Sequence, residues 1–337
     1  MYTVIKRMEI DMKVSVVMAV YNGGKYIRRQ LESIMSQTRL PDEIIICDDR
    51  SADDTVRIAD EYMSDMCMHG SRVEYKIIIN EANKGYIENF RYALSVSHGD
   101  ILFTCDQDDV WERDKVEKMC ECFENNSQVQ LVASSLRFIN AKENVIDRAY
   151  VPYGMTAGNN ELVKIGFDRI LEKNYFPGCT MAVSKMAAKK YLDSVHSNIP
   201  HDWSMALIAA ADDGLYWYNR ILLNYRIHGD NTLGLAAADS KLNYIRRTVA
   251  TWPDYCYELC DRIRYIRQTL ELSAAYKDYF DAMEEFAGYR SEVITGKFKV
   301  GSFAKECLIY NRKLARKIDR RGIILDFIYI FLTTKKQ

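Results

Sequence analysis

The sequence carries almost no net charge: 46 Lys and Arg stand against 47 Asp and Glu, leaving a formal charge of -1. No global positive field is available to hold nucleic acid by counterion release, so nucleic acid is not an expected partner. A cysteine framework is also missing. The nine cysteines are odd in number, none forms a Cys-x-x-Cys pair, Cys120 and Cys122 are separated by one residue, and Cys256 and Cys260 have no histidine nearby. That spacing argues against a structural zinc site and fits reduced thiols in a cytosol. Long hydrophobic runs are lacking too. The apolar run Val14–Val20 falls far short of the roughly 20 residues a membrane span needs, and its context is not that of a signal peptide. Internal repeats and low-complexity segments are absent.

What is present reads first as alternation. The 337 residues, 48% of them hydrophobic, exceed the roughly 100 to 200 residues of one domain, so two units are expected. Val14–Val20, Glu43–Cys47 (EIIIC) and Ile101–Cys105 (ILFTC) are short apolar runs bounded by turn residues, which marks buried strands, and Val73–Ile79 makes a further strand. Between them lie helical stretches at about 25–37, 51–66 and 87–97, the second opening on Ser51 with Asp54 three residues on, a pattern for a helix N-cap. Strands alternating with helices predict an α/β fold with a mainly parallel, Rossmann-like sheet covered on both faces. Beyond Asp109 the reading is a helix over 114–125, a strand over 129–140, loop or extended chain over 144–158, a helix over 160–172, a helix over 205–211 and a strand over 221–226.

From Lys241 onward the pattern changes to long helices rich in Tyr and Arg, with Pro253 as the only breaker. The expected organisation is an N-terminal extension over 1–12, an α/β catalytic part over 13–235 and a helical region over 236–337. Near the end, the apolar stretch 323–332 follows Arg312, Lys313, Arg316, Lys317, Arg320 and Arg321. Two readings stand for it: helical packing, or peripheral contact of a cytoplasmic protein with an anionic membrane surface.

In parallel α/β sheets, ligands bind at the carboxyl ends of the strands, where loops converge and helix N-termini present free N–H groups. Here three strand ends carry polar clusters: Tyr21-Asn22, Asp48-Asp49 and Asp106-Gln107-Asp108-Asp109. Two carboxylates one residue apart on an extended segment can bind a divalent cation of the Mg²⁺ or Mn²⁺ kind, which takes oxygen ligands. A solvated acidic turn is the alternative. Asp48 or Asp49 can accept from a nucleobase N–H or a ribose hydroxyl, or can serve as a cap. Tyr21 can lie against a base or close the edge of the core. Asp202, in His201-Asp202-Trp203, is either a helix cap or a general base for an attacking hydroxyl, with Trp203 offering a face for a sugar. His228 is structural or a metal ligand.

The stretches SVVMAVYNGGKYIRRQLESIMSQT, DEIIICDDRSADDT, NKGYIENFRYAL, GDILFTCDQDDVW, PGCTMAV, HDW and YRIHGDNTLG, in this order, resemble the family 2 glycosyltransferases from about Val14 to Gly234. DQDDVW and YRIHGDN look like the rhamnosyltransferase-like branch, which builds bacterial surface polysaccharides. The resemblance implies a GT-A fold with one nucleotide-sugar donor site. In it Val20, Tyr21, Asn22 and Asp49 would hold the base, Asp106 the ribose side, and Lys84 would lie near the nucleotide. Asp108, with Asp106 and His228, would hold Mg²⁺ or Mn²⁺, Asp202 would be the base, and Gly178, Cys179, His201 and Trp203 would border the acceptor. The implied reaction is inverting transfer from a UDP- or dTDP-sugar, dTDP-rhamnose included, to a hydroxyl of a glycan or lipid-linked acceptor. One departure stands out: Phe90-Arg91 occupies the place where the family often has an Arg-Asn pair.

Two other functions remain open on the residues alone. A sugar nucleotidyltransferase would need a glycine-rich basic loop after the first strand, where this chain reads AVYNGGKY with the single Lys25. A catalytically silent relative would scaffold an assembly complex through the Tyr-rich tail.

Overall fold

The computed structural model describes residues 12–150, 158–228 and 241–294, together with 306, 307 and 309. The basic and apolar segments at 312–332, and all but the last residue of the 1–12 extension, lie outside the described residues. The chain divides into two compact units that interleave along the sequence. The first takes its described residues from Met1–Val163, Phe176–Leu192 and Tyr216–Arg226, and the second from Lys164–Tyr175, Asp193–Leu215 and Ile227–Gln337.

The first unit is built on a sheet. Strands β1 (Val14–Val20), β2 (Glu43–Asp48), β3 (Glu74–Ile79) and β4 (Ile101–Cys105) alternate with helices α1 (Ile27–Met35), α2 (Thr55–Met68) and α3 (Tyr86–Ser95). They pair in the order β3-β2-β1-β4, all parallel. β2 is buried at every residue, as a strand covered on both faces must be, whereas the edge strand β3 is half-exposed. α1 buries Ile27, Gln30, Leu31 and Ile34, the one-face spacing of an amphipathic helix.

Past β4 the hand of pairing changes. A two-residue β5 (Val110–Trp111), α4 (Lys115–Asn125), β6 (Leu131–Ile139), β7 (Val145–Tyr150), β8 (Leu162–Lys164), β9 (Met181–Ser184), α6 (Lys185–Asp193) and β10 (Leu215–Arg226) complete the sheet region. β9 joins β4 and β6 antiparallel, and β5 joins β10 antiparallel. The sheet is thus parallel in its first half and antiparallel in its second.

Two local expectations fail. The helix expected over 160–172 is instead β8 and the single turn α5 (Phe167–Ile170); Asn160 sits at φ 57°, Ile165 N–H donates to Leu215 C=O, and pairing with β10 outweighs helix propensity. Ser51 does not cap α2. Its N–H donates to Asp48 Oδ2 at 2.9 Å and its hydroxyl accepts from Asn22 N–H at 2.8 Å, while the Thr55 N–H is taken by Asp53 Oδ1 at 3.1 Å.

The second unit is helical: α5, α7 (His201–Ala211), α8 (Lys241–Thr269) and α9 (Ala274–Ile294). α7 is buried along its whole length except at Trp203, which is half-buried, so it is a core helix rather than an amphipathic one. α8 continues through Pro253.

Candidate functional site

The parallel register decides which loops meet. Val20 pairs with Asp48, and Asp48 with Ile79, so β1, β2 and β3 end level; Met18 pairs with Cys105, so β4 ends two residues sooner and the acidic run that follows it runs beside the end of β1. Tyr21, Asp49 and the Asp106–Asp109 run all leave the sheet at that edge, as its polar clusters lead one to expect.

The loops after β1 and β2 are locked by side-chain to backbone bonds. Asn22, at φ 49°, accepts from Ala52 N–H at 2.8 Å, and Gly23 N–H donates to Thr55 Oγ1 at 2.8 Å. Asp49 is buried and neither caps a helix nor faces solvent. Its Oδ1 accepts from Lys84 N–H at 2.8 Å and from Asn80 Nδ2 at 2.9 Å, and its Oδ2 accepts from Gly85 N–H at 2.8 Å. The carboxylate therefore holds the Asn83–Gly85 loop against the end of β2. Behind it Asn80 Nδ2 also reaches Asn89 Oδ1, and Asn89 donates to Cys47 C=O at 2.8 Å. Lys84 Nζ lies 5.2 Å from the Tyr92 ring centroid. Tyr21 is half-exposed, leaving its ring accessible to solvent. Arg91, in place of the Arg-Asn pair, donates to the carbonyls of Tyr191 and Leu192 and lies over the Tyr191 ring.

The acidic run is layered. Asp106 and Asp108 are half-buried; Asp109 is 1% exposed. Burial, together with the charges of Asp108 and Asp106, pushes the Asp109 carboxyl well above the usual carboxylate range. Asp109 Oδ1 accepts from Arg226 N–H at 3.0 Å; Oδ2 is buried and takes no N–H or O–H donor among the described residues. The nearby Cys179 thiol is a weak donor to this carboxyl. Beneath lies Lys115, fully buried. Its Nζ donates to Cys179 C=O at 2.6 Å and sits 4.1 Å from the Trp111 ring centroid, and burial lowers its pKa to about 8. The Gly178–Thr180 turn that carries Cys179 is pinned again by Thr104 Oγ1, which donates to Gly178 C=O at 2.6 Å.

Arg226 fastens this loop to β10. Its Nε donates to Asp108 C=O at 2.7 Å, a second nitrogen pairs with Glu143 at 3.0 Å, and the guanidinium lies 4.8 Å from the Tyr26 ring centroid. Burial also pushes the Tyr225 hydroxyl strongly upward, with the acidic groups and Cys179 adding to it.

One atom from each of Asp106, Asp109 and Cys179 lies within 4.8 Å of the others. A buried carboxylate oxygen without an N–H or O–H donor, beside the Asp106 carboxylate, suits a hard divalent cation, whereas the buried sulfur does not; Asp108 is not in this group. The oxygen-rich part of the cluster fits a Mg²⁺ or Mn²⁺ ion; Cys179 reads better as a lining residue, its thiol pushed well above its ordinary pKa by burial.

The remaining expected residues belong to the second unit. His201 and Asp202 are buried in the first turn of α7, and Pro200, not Asp202, occupies the cap position. Asp202 Oδ1 accepts from Trp203 N–H at 2.6 Å. Trp203 Nε1 donates to Ile170 C=O at 2.7 Å, and Arg262 covers its ring. His228, half-buried, follows Arg226 by two residues.

The family model for glycosyl transferase family 2 matches residues 15–192, more than half of the chain. The chain belongs to this family. Among curated relatives, the dTDP-rhamnosyl transferase RfbG of Shigella flexneri is 27% identical over 234 residues, covering 64% of this chain and 73% of that one. The Bacillus subtilis protein EpsE is 34% identical over 124 residues, 37% of this chain, and the match spans less than half of that relative's length, 43%. Its fold is that of the GT-A enzymes. S. aureus TarS 1-349 in complex with UDP-GlcNAc superposes with a TM-score of 0.56 at 16% identity, covering 93% of this chain and 84% of that one. The Pyrobaculum calidifontis mannosyltransferase PcManGT, solved with GDP-Man and Mn²⁺, gives 0.52 at 15% identity, covering 95% and 87%.

The sequence assigns no individual role to Gln107, Asp109, Lys115, Tyr225 or Arg226. Gln107, Asp109, Tyr225 and Arg226 stand inside the family-like stretches, but their partners are remote in sequence; Lys115 carries no local signal at all.

Proposed function

We propose that this family 2 glycosyltransferase is a metal-dependent, inverting enzyme that moves a sugar from a nucleoside-diphosphate sugar to an acceptor hydroxyl in bacterial surface polysaccharide synthesis. The donor is a UDP- or dTDP-sugar, with dTDP-rhamnose favoured by the likeness to RfbG. The acceptor is a glycan or lipid-linked glycan, met in the cytoplasm or at the inner face of the membrane; no described helix is long and apolar enough to cross one. The catalytic part is residues 13–235, and family membership sets aside the nucleotidyltransferase alternative.

The observation that carries this reading is the triple carboxylate at the end of β4, level with the loop that presents Tyr21. In it Tyr21, with Val20, Asn22 and Asp49 behind it, receives the base. Asp106 accepts from the ribose, and Lys84 offers a cation to the phosphates. Asp108, Asp106 and His228 would hold Mg²⁺ or Mn²⁺, with Asp109 Oδ2 as a further oxygen. The ion would neutralise the charge that grows on the departing diphosphate. Asp202 takes the proton of the acceptor hydroxyl as it attacks the anomeric carbon from the opposite face. His201, Trp203 and the Gly178–Cys179 turn border that acceptor. A single displacement inverts the configuration and needs no second carboxylate as nucleophile.

The purified chain is expected to hydrolyse its donor slowly with Mg²⁺ or Mn²⁺ and to lose that activity in Asp108→Ala. Activity surviving both EDTA and the substitution would remove the metal assignment. A panel of UDP-, dTDP- and GDP-sugars, read by metal-dependent thermal stabilisation, names the donor.

A further inference from the structure

Helix α8 contributes Arg262 to the surroundings of the proposed base, and it lies outside the segment that matches the family model. Arg262 is 1% exposed, an expensive place for a guanidinium unless its geometry is used. It is used twice. Its Cζ lies 3.4 Å from the centroid of the Trp203 ring, and its Nη1 donates to Leu171 C=O at 2.8 Å and to Glu172 C=O at 3.0 Å.

Those carbonyls follow directly on the carbonyl that Trp203 itself engages, since Trp203 Nε1 donates to Ile170 C=O. Three consecutive carbonyls at the end of α5, which a helix leaves without intrahelical partners, are thus shared between one indole and one guanidinium. The negative end of α5 faces a cation, which its dipole favours. α9 reinforces the grip: the Tyr276 ring packs 5.5 Å from that of Phe167, and Tyr279 donates to Asp168 C=O at 3.4 Å. The indole is therefore fixed at its nitrogen and on one face, and the backbone N–H of the same residue holds Asp202 Oδ1.

We propose that Arg262 is a positioning residue for Asp202: it fixes Trp203, Trp203 fixes the first turn of α7, and that turn sets where the carboxylate points. The helical C-terminal region thereby acts on the transfer step rather than on donor binding. This rests on the reading of Asp202 as the base.

The test compares Arg262→Met, Arg262→Lys and Asp202→Asn in the full chain, with transfer kinetics and calorimetric binding of nucleoside diphosphate in Mn²⁺. Arg262→Met is expected to lower kcat roughly 10- to 100-fold, the scale of a small misplacement of a reacting group, with the nucleotide Kd within about twofold. Arg262→Lys, which keeps the charge but not the planar fork, falls between. Added to Asp202→Asn, Arg262→Met has no further effect on kcat, because both act through one group. Unchanged kcat in folded Arg262→Met, or losses that multiply in the double variant, overturn the proposal. If Arg262→Met does not fold, Arg262→Lys carries the same test, and a wild-type kcat there overturns it. Equal loss of donor binding and transfer in Asp202→Asn instead removes the base assignment.

Discussion

The side-chain amide of Gln107 closes a two-way bridge onto the backbone of Tyr21, with Oε1 accepting from Tyr21 N–H at 2.8 Å and Nε2 donating to Tyr21 C=O at 2.9 Å. It links the loop after β1 to the acidic loop after β4, which are 86 residues apart in sequence. The amide thus faces the loop after β1, while Asp106 and Asp108 on either side of it are half-buried. Gly23 makes room for it: a Cβ at residue 23 would stand 2.3 Å from Gln107 Oε1.

Gln107→Ala is expected to raise the donor KM about tenfold, equivalent to about 1.4 kcal/mol, with little change in melting temperature because the bridge is solvent-exposed. Gly23→Ala should do the same in the wild-type chain by expelling the amide. In the Gln107→Ala background, Gly23→Ala should be nearly silent, since the obstructing atoms are gone. Donor titrations of the four proteins measure that coupling; additive effects would refute a shared bridge.

How much of this could be read from the sequence depends on the range of the forces involved. Local pattern carried the strands β1 to β4, because EIIIC and ILFTC are buried on both faces and show it as unbroken apolar runs. It carried the strand-end clusters for the same reason. It failed at 160–172, where a residue triplet follows its partner β10 across more than fifty residues of chain. It failed at Ser51 because two rival partners engage it instead, Asp48 three residues before it and Asn22 from the loop after β1. Lys115 looks like any helical lysine until α4 is laid under the Gly178–Thr180 turn, and Arg262 lies in a helix whose composition gives no hint of Trp203. The resemblance supplied Asp202 and His228, which pattern alone left as an ordinary helix start and a loop histidine.

Arg226 makes a second prediction. Lysine at 226 would keep a positive charge near Glu143 but could not at once donate to Asp108 C=O, pair with Glu143 and stack on Tyr26. Arg226→Lys is expected to cost about 2 kcal/mol of stability and to lower metal-dependent donor hydrolysis more than tenfold, since the carbonyl it holds belongs to Asp108. Urea unfolding and a Mn²⁺ titration of the variant check the two parts. Wild-type metal affinity would show that the acidic loop keeps its shape without the guanidinium.

The last prediction concerns acid. Burial lowers the His201 pKa from its ordinary 6.5 to about 3, so the folded chain keeps this ring neutral. Below pH 6.5 the unfolded chain binds a proton there that the folded chain does not, and stability must fall as pH drops from 6.5 toward 3. Above pH 6.5 the group contributes nothing to pH dependence. At pH 5 the loss from this one residue is about 2 kcal/mol. His201→Asn removes the titrating ring while keeping a polar side chain of similar reach. Urea unfolding at pH 7 and pH 5 should therefore show a smaller acid-induced loss in the variant than in the wild type, by about that amount. An equal loss in both proteins would mean that His201 is protonated in the folded state, and its neutrality at the start of α7 would have to be given up.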